Sequence, residues 1–254
     1  MEEAAALKPA LFIVEVTRIA NDESITEPAV YDAIDQVVAA EPGLVIADFS
    51  ARNIERLRTF RDIAKVRNRR LVVTTKDAYL LQQLHRVDPK IPCPTEEIGV
   101  LKEFQGTVQL WERGVHTDCA PNLVDAKQIR RDPGGYIVCI SYWDIVNLVD
   151  FEPNGGTYIY SASEAYDEEQ KIDLLRLVSW LNHFGLKMVG GLPGVEKGPY
   201  HASGHIDGPA LEQLIDQVGA EIIVPVHTQN PGWFDQRWGK KVIKVGYGVA
   251  AEIG

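Results

Sequence analysis

Cysteine is scarce in this chain of 254 residues: Cys93, Cys119 and Cys139 are the only three, an odd number at wide and irregular spacing. That pattern excludes a disulfide framework or a zinc ribbon and suits reduced, buried thiols. Long apolar runs are missing too, since none approaches the roughly 20 residues that cross a bilayer. The amino terminus MEEAAALKPA has neither the basic nor the apolar region of a secretory signal. A cytoplasmic protein with no membrane partner is the expectation. Low-complexity segments and internal repeats are lacking, which argues against disorder and against a solenoid. Positive charge is in deficit: 26 Lys and Arg stand against 36 Asp and Glu, a net charge of −10. Such a surface repels nucleic acid unless cations gather locally.

They gather in one place. ARNIERLRTFRDIAKVRNRR, residues 51–70, carries eight Arg or Lys against Glu55 and Asp62. Leu57, Phe60, Ile63 and Ala64 have the spacing of a buried helical stripe, so the arginines fit two readings, a solvated helix face or a phosphate-binding one. Elsewhere short β-branched runs alternate with helical periods. ALFIVEV (10–16), GLVIADF (43–49), RLVVTT (70–75), GYIVCIS (135–141), TYIYS (157–161) and EIIVPV (221–226) are continuous enough to be strands buried on both faces. EPAVYDAIDQVVAA (27–40) opens behind Thr26 as N-cap, with Pro28 in the first turn. DEEQKIDLLRLVSWLNHFG (167–185) starts with acids and stops at a glycine, and GPALEQLIDQVG (208–219) repeats that ending. The alternation predicts an α/β fold with a mostly parallel sheet.

In such folds chemistry gathers at the carboxyl ends of strands. Glu15 and Thr17 follow the first strand, Asp48 and Ser50 the second, Lys76 and Asp77 the third, Ser161 and Ser163 the fifth, and His227 and Thr228 the last. YHASGHIDGP (200–209) adds His201 and His205 around Ser203 and Gly204. Two imidazoles four apart in a turn can converge on one ligand, with backbone N–H groups open to an anion; capping of the turn itself is the plainer reading. Glu15, inside an apolar strand, needs a partner, and a histidine is an obvious one.

HASGH followed after a helix by PVH resembles the β-CASP branch of the metallo-β-lactamase superfamily, the group that includes RNase J and the cleavage and polyadenylation nucleases. LFIVEVTR is similar to that family's carboxylate motif, with Glu15 and Thr17 matching and Val16 in place of glycine; GLVIADFSARNIERLRTF resembles the start of the β-CASP insert. The resemblance implies a Rossmann-like β-CASP domain over 27–189 and a remnant of the metallo-β-lactamase core over 1–26 and 190–254. It implies zinc, or manganese, held by His201, His205 and His227, with His205 and Glu15 catalytic and Asp48, Thr17 and Thr228 supporting them. Substrate phosphate would meet His201, Ser203, Gly204, Ser161, Ser163 and Arg52. No His-x-His-x-Asp-His occurs, so the chain looks like a member without its first half.

Two functions compete at this stage. One is a metal-dependent phosphoester hydrolase of nuclease ancestry, with an open site suited to small phosphodiesters or phosphotriesters. The other is a noncatalytic module that binds RNA or a partner through the arginines of 52–70. A homodimer is expected to cover the apolar surface around Leu11–Val16 and Ile222–Val226 that a missing half would leave.

Overall fold

Apolar strands separated by amphipathic helices bury their faces only by stacking in layers, and the chain does this twice. The computed structural model describes residues 5–15, 19, 25–102, 108–163, 167–191, 198–228, 230–246 and 248–250. It divides into two compact units, Thr26–His201 and Met1–Ile25 with Ala202–Gly254.

The larger unit is an α/β body around seven strands: β2 (Leu44–Asp48), β3 (Arg70–Val73), β4 (Gly99–Leu101), β5 (Leu123–Val124), β6 (Tyr136–Cys139), β7 (Gly156–Tyr160) and β8 (Leu186–Val189). Their order is β5-β4-β3-β6-β2-β7-β8, and every neighbouring pair is parallel. This is a parallel sheet of the Rossmann-like kind. All five residues of β2 are buried, which is why LVIAD reads as a continuous apolar run rather than an alternating one.

Helices carry the chain between strands. They are α1 (Glu27–Ala40), α2 (Ile54–Val66), α3 (Thr75–Val87), α4 (Leu110–Asp118), α5 (Ala126–Arg131), α6 (Leu148–Phe151) and α7 (Glu168–His183). Their starts follow from side-chain chemistry. The Thr26 hydroxyl accepts the Ala29 N–H at 3.3 Å, the Asn53 amide oxygen accepts that of Arg56 at 3.0 Å, and Asp167 accepts that of Gln170 at 2.7 Å. Each satisfies one orphan donor, for about 1 kcal/mol. Leu44, Ile46, Val138 and Tyr158 from the sheet pack with Leu177 and Leu181 of α7. Gly156 turns into β7 at φ 126°, and a Cβ there would strike the Leu44 carbonyl oxygen.

The smaller unit joins the two ends of the chain. Strand β1 (Leu11–Glu15) pairs in parallel with β9 (Ile222–Val226), from Leu11 opposite Ile222 to Glu15 opposite Val226. Two helices, α8 (Gly208–Val218) and α9 (Gly232–Trp238), supply its core: Leu211, Ile215 and Phe234 pack on Val14 and Ile223. Asp207 caps α8 by accepting the Ala210 N–H at 2.8 Å, and the helix ends where Gly219 turns left-handed at φ 64°. Among the described residues, no helix is long and apolar enough to cross a membrane.

Candidate functional site

The parallel pairing of β1 with β9 sets one carboxylate and one imidazole at the same sheet end, because Glu15 lies opposite Val226 and His227 follows directly. His227 is exposed and takes a left-handed backbone at φ 53°, a turn that ends the strand. His205 comes from the loop before α8. Its Nδ1–H donates to Glu15 Oε2 at 2.9 Å, and the two side chains are 51% and 36% exposed. With its Nδ1 proton directed at the carboxylate, the ring presents Nε2 as the proton acceptor. The second carboxylate oxygen, Glu15 Oε1, is buried and has no hydrogen-bond partner among the described residues.

The loop holds its shape locally. The His205 N–H donates to Ser203 Oγ at 3.2 Å, and Gly204 is exposed with open space where a Cβ would stand. Thr228 Oγ1 accepts the Asn230 N–H at 3.1 Å, closing the turn after His227. Thr17 lies outside the described residues. The arrangement can accept a proton at an exposed imidazole whose tautomer a carboxylate fixes, which is what a general base or acid requires.

His201 belongs to the larger unit. There its Nδ1–H donates to the Ser161 carbonyl at 3.1 Å. Ser161 is buried, and its hydroxyl lies between an Arg56 guanidinium that donates to it and the Tyr200 carbonyl that it donates to at 2.5 Å. Ser163 is exposed and its carbonyl accepts from the Tyr160 hydroxyl at 3.0 Å. Among the described residues no three His, Cys, Asp or Glu side chains come together as a group that could hold a metal. Zinc or manganese at His201, His205 and His227 stays an expectation of the resemblance.

The cationic stretch is largely used within the fold. Arg56 is fully buried against Glu27 at 3.0 Å; Lys65 pairs with Glu97, Arg67 with Asp35, and Arg61 with Asp62. Arg58 donates to the Lys90 carbonyl, Arg69 to those of Gly43 and Glu41, and Arg70 to the Asn122 side chain. Arg52 alone of the eight is exposed with no hydrogen bond or ion pair among the described residues. Arg56, Arg69 and Arg70 are tied into the fold, whereas Arg52, Lys65 and Arg67 remain at the surface.

Asp48 belongs to the larger unit. It ends the interior strand β2, 6% exposed, and accepts the Tyr158 hydroxyl at 2.6 Å. Burial pushes its carboxyl up to about 7 against the opposing pull of that hydrogen bond, and the charge of Asp144 adds to the rise. Burial likewise lifts Asp77, after β3, to about 6. Tyr158 and Asp144 were absent from the sequence reading. The signal for Tyr158 was its place two residues before Tyr160 in TYIY, on the same strand face.

No protein-family model matches the chain, and no curated protein matches it.

Proposed function

We propose that the chain is a hydrolase of phosphoester bonds, acting on small phosphodiesters or phosphotriesters, in which His205 and Glu15 transfer the proton. One observation carries the reading: the 2.9 Å hydrogen bond between the half-exposed His205 ring and the Glu15 carboxylate. Substrate class comes from the likeness of HASGH and PVH to the β-CASP motifs, and the open backbone at Gly204 leaves room for an anion beside the ring. Glu15 orients the imidazole and steadies the imidazolium once it forms; Nε2 takes the proton from an attacking water or returns it to the leaving alkoxide. His227 and Thr228 shape the sheet end next to this pair.

The test is hydrolysis of 4-nitrophenyl phosphodiesters and phosphotriesters by the full chain, after chelator treatment and again after zinc or manganese is restored. Release of 4-nitrophenolate should fall about 100-fold or more in His205→Ala and less in Glu15→Gln, which keeps the shape of the side chain. A rate no faster than buffer under every metal condition, or a His205→Ala variant as active as the parent, would remove the proposal.

A further inference from the structure

Helix α7 is apolar on two sides. Leu174, Leu177 and Leu181 are buried in the larger unit, as an amphipathic helix requires. On the opposite side Ile172 is 50% exposed and Leu175 is 65% exposed, and the line continues through exposed Ser179 to exposed His183. At about 100° per residue, Glu168, Ile172, Leu175, Ser179 and His183 fall in one stripe about 80° wide. Beside it an open cavity of about 530 Å³ between α6 and α7 is lined by Val149, Trp180 and Phe184. Solvation does not call for aliphatic side chains in the middle of an outward face, and an apolar strip next to an aromatic-walled groove marks a surface that something covers.

We infer that a second copy of this chain covers it, the two α7 helices packing antiparallel about a twofold axis close to Leu175. The stripe is complementary to itself when reversed. Glu168 then faces the partner's His183, Ile172 enters the space over the partner's small Ser179, and Leu175 meets the partner's Leu175. Each contact occurs twice, as an isologous interface demands. The charge pattern selects the antiparallel sense: the exposed Glu168 and Glu169 lie in the first turn and His183 in the last, so each acidic end lies along the partner's basic end and the helix dipoles oppose. A parallel pairing would set Glu168 against Glu168. This interface lies on the larger unit, on other residues than the β1 and β9 surface that a missing half would expose.

Sedimentation equilibrium of the full chain from about 1 to about 100 µM tests it, and a monomer–dimer equilibrium is expected in that range. Leu175→Glu places two carboxylates at the twofold axis and should raise the dissociation constant about 100-fold or more, with an unchanged far-UV spectrum and, at concentrations where both proteins are monomers, an unchanged melting temperature. Ile13→Glu, on exposed β1, should leave the association as it was. Glu168→Lys should weaken it, and adding His183→Glu should restore it, the signature of a facing pair. Leu175→Cys should form a disulfide-linked dimer under mild oxidation. A chain that stays monomeric throughout, or a dimer indifferent to Leu175→Glu and broken by Ile13→Glu, overturns the inference. So does a fall in the melting temperature of Leu175→Glu measured well below the parent's dissociation constant, where both proteins are monomers, because Leu175 is then covered by its own chain.

Discussion

Asp48 holds a carboxyl group at the end of the interior strand β2 with the Tyr158 hydroxyl at 2.6 Å, in a place where ionisation is opposed by burial. Its folded value of about 7 lies above the ordinary 3.8, so the folded state binds this proton more tightly than the unfolded chain. The stabilisation is complete below about pH 4 and is lost as pH rises toward 7, a difference of about 4 kcal/mol. Asp77, raised to about 6, adds a slope of the same sign over a narrower window. Asp48→Asn keeps an oxygen near the Tyr158 hydroxyl and removes the titration. Urea unfolding at pH 5 and pH 8 should show a clear loss of stability for the parent and a smaller one for the variant, with the variant the more stable at pH 8. Equal pH dependence in both would refute this assignment.

Among elements, the apolar runs were the legible ones, although β1, read as buried on both faces, leaves Ile13 59% exposed because it is paired on one side only with β9. LVIAD, RLVV, YIVC and IIVPV are uninterrupted apolar runs because parallel strands have no wet side. Strands β4 and β5, three and two residues long, are too short to show any period. Strand β8 reads LKMV with Lys187 exposed, and it follows α7 so closely that its residues pass for the helix's tail. Helix α4 hides behind Gly114 and an exposed Leu110, since a glycine in the interior lowers helix propensity by about 1 kcal/mol. Of the candidate site, Glu15 and His205 could be picked out because a carboxylate in an apolar strand demands a partner. The ties at Ser161 and Arg56 could not, because they join residues about a hundred positions apart in sequence. Backbone geometry separates two of the glycines. Gly156→Ala must take φ 126° against the Leu44 carbonyl and should cost about 2 kcal/mol or more. Gly204→Ala meets open space and should change thermal stability by less than about 1 kcal/mol. Equal melting temperatures for the two variants would contradict the account of β7.

For the whole molecule, the division into Thr26–His201 and the joined ends has an unequal outcome. The larger unit holds a complete seven-stranded sheet in one continuous segment, whereas the smaller has one parallel strand pair made from opposite ends of the chain. Parallel strands are rarely stable alone. Residues 26–201 expressed separately should therefore unfold cooperatively in urea with native-like circular dichroism; an aggregated or non-cooperative product would show that the sheet depends on the terminal segments.

Arg56 bears on that division through chain entropy. One guanidinium holds Glu27 at 3.0 Å and the Tyr200 carbonyl at 2.6 Å, the first and last turns of the continuous segment. In the extended chain β1 and β9 are about 200 residues apart, and bringing such ends together costs about 5 kcal/mol in chain entropy. Once Arg56 has drawn Glu27 and Tyr200 to itself, the stretch left to close is about 35 residues, from Glu15 to Glu27 and from Tyr200 to Ile222, and the cost falls by about 1.5 kcal/mol. The buried arginine thus shortens the loop that the strand pair carrying Glu15 and His227 has to close.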